Sequence, residues 1–238
     1  VGVFNQPSNI NNIKTLAYVP EIVRRGGEWF STIGTEKSTG TAIICLSGDL
    51  EYTGLVELPM GLTLEHVLHE VGGGPPNGKN LKFLQTGGPL GGVLSAESLD
   101  IMVDFDAMQQ AGAILGSGGI IAADEDACVV DLTRSLVAFC QYESCGKCFP
   151  CRLGMTHILE IVERICNFET TQDDLRLMQD VGKNMQAGSL CGHGQLGFNP
   201  VSSALKYFRA EFDEHIKEKR CATGRCQTSY FSPTSTRR

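Results

Sequence analysis

The sequence predicts an α+β protein, a small mixed sheet domain followed by a bundle of four helices. Three observations carry that expectation. Between residues 41 and 94, short apolar and β-branched runs alternate with glycine and proline turns, as strands do. From Asp131 onward the apolar residues recur at helical spacing almost to the end of the chain. A triplet of cysteines, Cys145, Cys148 and Cys151, interrupts that helical stretch in a single loop.

Taken in order, LAYVPEIVRRGGEWF reads as a helix opened by Pro20, since a proline at the first helical position gives up only a donor that has no partner there. Gly26 and Gly27 close it. TAIICLSGD and YTGLVELP read as two strands. TLEHVLHEVGGG places Leu64, Val67, Leu68 and Val71 on one helical face, from Thr63 to the terminating glycines. LKFLQTGGPLGGVL returns to strand character, and GIIAADEDACVVD contains a run that reads as a buried strand. DLTRSLVAFCQYES, GMTHILEIVERIC, DDLRLMQDVGKNM and PVSSALKYFRAEFDEHIKEKR are the four helices. In the second, Met155, Ile158, Leu159, Val162 and Ile165 share a face. Thr171 or Asp173 caps the third, and Pro200 suits the first turn of the fourth. Short loops between them make a small antiparallel bundle. The segment boundaries fall at 1–36, 37–122, 123–220 and 221–238, and the closing CQTSYFSPTSTRR is polar and expected to be loose.

Composition narrows the function. At 238 residues with 42% hydrophobic residues, the chain has material for one core or two. A net charge of −7 argues against nucleic acid as a partner, because phosphate binders present basic surfaces. No run of 18 apolar residues occurs, so no membrane insertion is expected. The opening VGVFNQPSN is neither a signal peptide nor a Met start, which predicts a chain that is processed or begins inside a longer protein. The expected location is cytoplasmic, either soluble or peripheral to a membrane complex.

Ten cysteines in a chain with ample core and no export signal point to reduced thiols arranged for metal rather than to a disulfide framework. Two-residue spacings let a loop turn Cys145, Cys148 and Cys151 toward one point, and SLCGHG offers Cys191 as a fourth thiol from another inter-helix loop. Four thiolates are what a [4Fe–4S] cluster takes. Zinc also accepts four cysteines but more often pairs two separate knuckles. A redox-active CxxC would leave the third cysteine unexplained. Lys147 and Arg152 either offset the charge of such a centre or are ordinary solvated cations. Glu143 either hydrogen-bonds the loop or caps a helix. Cys45, Cys128, Cys140 and Cys166 read as small buried hydrophobes, and His66 with His69 as a surface pair.

With those residues in view, ESCGKCFPCRLG followed by SLCG resembles the NADH-binding flavoprotein subunit of respiratory complex I and the related β subunits of soluble NAD-linked hydrogenases and formate dehydrogenases. NQPSNINNIKTLAYVP resembles the closing segment of that family's FMN domain. GLVELPMGLTLEHVLHEVGGGP with QTGGPLGG resembles its soluble-ligand-binding β-grasp (SLBB) domain. GSGGIIAADEDACVVDLTRSLVAFC leads into the helical cluster domain as the family does.

The resemblance implies an electron route from NADH through FMN and a [4Fe–4S] cluster to a small [2Fe–2S] subunit and further iron–sulfur subunits. It implies that Cys145, Cys148, Cys151 and Cys191 ligate the cluster. Asn11, Asn12 and Thr15 match an Asn-Asn-x-x-Thr that holds flavin phosphate and ribityl oxygens, with Lys14 where the family commonly has Glu. Gly192 and His193 stand where the family backbone nears the flavin, His193 replacing a commoner apolar residue. The family's glycine-rich FMN and NAD(H) segments would lie upstream of Val1, so the fragment alone is expected to be inactive toward NADH. RCATGRC resembles the ending of the hydrogenase-type subunits, and His215 with Cys221 and Cys226 forms a candidate zinc site that lacks a fourth ligand. The alternative from another class is a non-enzymatic SLBB interaction module joined to a zinc-stabilised bundle.

Overall fold

In the first strand, β1 (Thr41–Gly48), period-two alternation turns Ala42, Ile44 and Leu46 into the core and leaves Ile43 and Cys45 outside. Cys45 is therefore exposed, not a buried hydrophobe as its apolar neighbourhood suggests. The computed structural model describes residues 2–228, so part of the closing polar stretch lies outside the described residues.

β1 pairs antiparallel with β2 (Gly54–Pro59) and parallel with β5 (Gly119–Asp124). β5 pairs antiparallel with β3 (Leu81–Thr86), which pairs antiparallel with β4 (Val93–Ser95). The five-stranded sheet has the order β2-β1-β5-β3-β4. Gly48 sits at φ 89°, and a Cβ there would lie 2.1 Å from the Ala122 carbonyl oxygen, so the β1–β5 contact requires glycine. One core gathers Ile44, Leu46, Leu84 and Ile120 with Leu64 and Leu68 from the region read as a helix. That region winds as a π-helix over His66–Val71, which leaves His66 and His69 exposed as a surface pair.

Ahead of the sheet, α1 (Ile13–Arg25) begins seven residues before the predicted proline start. Asn12 caps it, its side-chain oxygen accepting the Lys14 N–H at 2.8 Å, so Pro20 lies inside the helix rather than at its opening. The helix has no buried residue, and water can solvate the carbonyl that the missing N–H leaves unpaired. Gly26, at φ 92°, ends it, and α2 (Gly27–Ser31) follows.

After α3 (Phe105–Gln110), the helical part comprises α4 (Val129–Tyr142), α5 (Phe149–Cys166), α6 (Gln172–Gly188), α7 (Gly192–Leu196), α8 (Asn199–Tyr207) and α9 (Arg209–Asp213). The predicted fourth helix is broken: Phe208, at φ −127° and ψ 32°, separates α8 from α9, and a π-helical turn over Glu214–Glu218 ends it. The break lets Phe208 meet Phe83 of β3 edge to face, centroids 5.7 Å apart. Thr171 caps α6 in a capping box with Asp174, and Arg164 of α5 holds Asp174 at 2.6 Å.

α5 packs against α4 and α6, while α8 packs against α4 and β4. The second core, with Val137, Ile158, Ile161, Val162 and Phe212, also takes in Phe83 and Val93, so the helices close over the sheet. Ser203 of α8 accepts the Val93 N–H at 2.9 Å across that seam. Among the described residues, no helix is long and apolar enough to cross a membrane.

Packing is tight where α6 meets Phe198, the N-cap residue of α8: a Cβ on Gly182 would lie 2.3 Å from the Phe198 ring. Gly182→Ala is expected to destabilise the fold by about 1–3 kcal/mol through overpacking, read from the urea midpoint at unchanged slope.

Candidate metal centres

The cysteine loop is short and internally tied. Glu143 follows the last turn of α4 as its C-cap, the capping alternative of its two sequence readings. Gly146, at φ 71°, makes the left-handed turn, and its N–H reaches the Ser144 hydroxyl at 3.3 Å. Cys148 is the N-cap residue of α5, whose first turn contains Pro150 and Cys151. The Arg152 guanidinium reaches back to donate to the Gly146 carbonyl at 2.8 Å. Arg152 is thus a loop brace as well as a charge.

The loop after α6 comes to the same end of α5. Ser189 and Leu190 precede Cys191, the N-cap residue of α7. The backbone N–H groups of Leu190 and Cys151 point at the Cys148 sulfur and hold its pKa below the ordinary thiol value. Burial pushes the Cys151 thiol up. The Ser144 hydroxyl opposes that rise, and negative charge on Cys148, Cys191 and Cys145 adds to it. Cys145, Cys148 and Cys191 therefore lie within electrostatic reach of Cys151. Cys151 is buried and Cys148 half-buried, whereas Cys145 and Cys191 are exposed. Below them lies buried Cys140, whose thiol burial raises to about 12.

The donor set suits a sulfur-rich, electron-accepting group: four thiols from two loops, N–H groups aimed at one sulfur, and a buried Ser189 hydroxyl with no partner. Gly192 is exposed, but the His193 ring turns inward and its Nε2–H donates to the Cys140 carbonyl at 2.8 Å, tying α7 to α4. Asn11, Asn12 and Thr15 lie exposed at the start of α1, and the Asn12 side chain is engaged as the helix cap. Among the described residues, no hydrogen bond joins them to Gly192 or His193.

A second cluster lies beneath the C-terminal segment. Cys128, His215, Cys221 and Cys226 are all buried, and their ligand atoms lie within 4.8 Å of one another. The Cys128 sulfur is 3.5 Å from His215 Nε2 and 3.7 Å from the Cys226 sulfur, and His215 Nε2 is 3.3 Å from Cys226. A tetrahedral zinc ion with arms of about 2.3 Å requires sulfur–sulfur edges of about 3.7 Å. His215 Nδ1–H donates to the Glu211 carbonyl at 2.7 Å, which leaves the Nε2 lone pair facing the sulfurs, the tautomer a metal ligand needs. Gly224, at φ 69°, turns the chain between Cys221 and Cys226.

Burial acts to lower the His215 imidazole, but Cys128, the Glu211 carbonyl and Cys221 together outweigh it and the pKa rises to about 9. Burial likewise acts to raise Cys221, but the Cys226 N–H, the Thr223 hydroxyl and His215 bring it down to about 6. The hydrogen bond that the Cys128 thiol donates to the Cys226 sulfur, with burial, pushes Cys128 up.

Cys128 is the ligand-type residue that the sequence reading missed. It is buried as expected, yet it is the N-cap residue of α4 rather than part of a strand, and its sulfur joins the group that lacked a fourth member. It stands 87 residues from His215, and no spacing signal links the two. Cys140 and Cys166 are buried on helix faces as expected.

Comparison with known proteins bears on both clusters. Residues 131–215 match the family described as the NADH-ubiquinone oxidoreductase-F iron-sulfur binding region, a span holding Cys145, Cys148, Cys151 and Cys191. The chain is 39% identical over 225 residues to the HndC subunit of the NADP-reducing hydrogenase of Solidesulfovibrio fructosivorans, covering 94% of this chain and 46% of that protein. It is 40% identical over 220 residues to the F 2 subunit of the NADH-quinone oxidoreductase of Rhizobium meliloti (strain 1021), covering 92% of this chain and 52% of the relative. A crystal structure of an NAD+-reducing [NiFe]-hydrogenase in the H2-reduced state superposes with a TM-score of 0.80 at 30% identity, over 89% of this chain and 35% of that one. The chain thus spans about half the length of the curated relatives it matches.

Proposed function

We propose, from the premise that this chain belongs with the F subunits of NADH-quinone oxidoreductases and their hydrogenase counterparts, that it is the electron-exit portion of an NADH:acceptor oxidoreductase. Cys145, Cys148, Cys151 and Cys191 hold a [4Fe–4S] cluster, and the observation that supports this is that all four lie within the matched iron–sulfur binding span, with Cys145, Cys148 and Cys191 in electrostatic reach of Cys151. The cluster supplies one-electron transfer. The residues around it cradle it: the Leu190 and Cys151 N–H groups face Cys148, and the exposed Cys145 and Cys191 mark the side open to a partner.

In the longer parent, Asn11, Asn12, Thr15, Gly192 and His193 border the FMN, and NAD(H) binds on residues outside this chain. The sheet region is the SLBB-type, β-grasp-like unit at 37–122, and α4, α5, α6 and α8 form the four-helix unit within 123–220. The partner is a small [2Fe–2S] subunit within a larger iron–sulfur assembly, on the cytoplasmic side. Cys128, His215, Cys221 and Cys226 hold a structural zinc ion. That centre coexists with the cluster, and relatives named as oxidoreductases favour the electron-transfer reading over a purely structural module.

Anaerobic reconstitution with iron and sulfide tests the proposal. The chain should turn brown, carry about four irons per chain as a cubane requires, bleach with dithionite, and show no NADH oxidation by itself. A colourless chain that takes up zinc alone would refute it.

A further inference from the structure

Ser189 raises a question that its place in the fold does not answer. It is the C-cap residue of α6, 6% exposed, and its hydroxyl has no hydrogen-bond partner among the described residues. Buried hydroxyls are nearly always paired. The space around this one is closed: a Cβ on buried Gly194 would lie 2.4 Å from Ser189 Oγ and 2.9 Å from Cys151 Cβ. The hydroxyl is thus held in a slot between the α7 backbone and the Cys151 side chain. Among the described residues, no oxygen, nitrogen or sulfur accepts its proton. A sulfur-rich group bound at the four thiols would bring the acceptor that it lacks.

A second hydroxyl behaves alike. Ser144 Oγ accepts the Gly146 N–H at 3.3 Å and lies 3.3 Å from the Cys151 sulfur. With its lone pair engaged by Gly146, its proton is free to point at that sulfur. Both serines therefore stand on the buried side of the thiol group, Ser144 at the Cys151 sulfur and Ser189 in the slot beside Cys151, while Cys145 and Cys191 are exposed.

We infer that Ser189 and Ser144 are potential-setting residues, each donating an O–H to a sulfur of the bound cluster and thereby raising the reduction potential of the centre. The inference rests on the four-thiol cluster reading above. Adding one electron makes the cluster and its thiolates more negative, and a donor held at sulfur stabilises the reduced state more than the oxidised one. No proton transfers: the hydroxyl hydrogens stay on oxygen in both states. Gly194 matters for the same reason, since any larger residue would fill the slot that orients Ser189.

The test uses the full chain, reconstituted anaerobically with iron and sulfide, as wild type, Ser189→Ala, Ser144→Ala, the double variant and Ser189→Thr. Potentiometric titration followed by electron paramagnetic resonance should give a more negative midpoint for each alanine variant at unchanged iron and sulfide content. The double variant should be lowest, and Ser189→Thr, which keeps the hydroxyl, should stand near wild type. Resonance Raman spectra of wild type should show iron–sulfur stretches that shift in D2O, with the shift reduced in each alanine variant. An unchanged midpoint in Ser189→Ala at full iron content overturns the inference and leaves the cluster reading intact. If that variant fails to assemble, absence of any D2O shift in wild type overturns it instead. A wild-type chain that takes up no iron removes the reading beneath it as well.

Discussion

Cys191→Ser should leave the reconstituted chain colourless and essentially free of iron, while Cys45→Ser should match wild type in colour, iron content and stability. Cys191 is the one thiol of the four that lies outside the α4–α5 loop and the first turn of α5, and it sits as the N-cap residue of α7. A cubane ligand site lost from one corner exposes that iron to water, and a serine oxygen is a harder, shorter and far more basic donor than a thiolate. The same change at Cys145, Cys148 or Cys151 should be as severe. Cys45 is the matched control, since it is also exposed but lies on the outer face of β1. Visible absorption, iron analysis and the low-temperature paramagnetic signal after dithionite read the outcome together. Retention of the full signal in Cys191→Ser would show that the fourth corner is held by another group.

The second large effect belongs to Cys128. Cys128→Ala should abolish bound zinc, lowering it from about one ion per chain to none by elemental analysis, as three remaining ligands no longer close a structural site. The stability loss should exceed about 4 kcal/mol, a range reached by loss of a metal rather than by removal of one small side chain. Cys140→Ala, equally buried but away from this group, should cost far less and retain zinc. pH should act in one direction. The ion requires three thiolates and a neutral imidazole, so acid competes for every ligand and the metal-derived stability, full at neutral pH, disappears as pH falls. Zinc retained at full stoichiometry in Cys128→Ala, or a thermal midpoint that ignores a strong chelator, would refute this centre.

How much of this the sequence revealed differs from element to element. β1 and β2 were legible because β-branched runs ended at glycine or proline, and the helix faces of α4 and α5 because their apolar residues kept a period near 3.6. The loop thiols were legible because Cys145, Cys148 and Cys151 are close in sequence. Pro20 misled: a proline is the strongest local mark of a helix start, but Asn12 had already capped the turn and the exposed helix tolerates the lost bond. The break at Phe208 was hidden because it answers to a tertiary partner, Phe83, and not to any local breaker. Cys45 pointed outward by the same alternation that identified its strand. Cys128 could not be assigned from spacing, since its partners approach only after α4, α5, α6 and the segments beyond them have folded back.

That last contact has a topological consequence. With an ion bound, Cys128 and Cys226 are joined across 98 positions, and Cys145, Cys148, Cys151 and Cys191 all fall within the span. The stretch that carries the four proposed cluster thiols would then be a ring, closed by metal rather than by sulfur–sulfur bonds. A protease that nicks one of its outer turns opens the ring at that turn without freeing either end, and both remain anchored at the same knot.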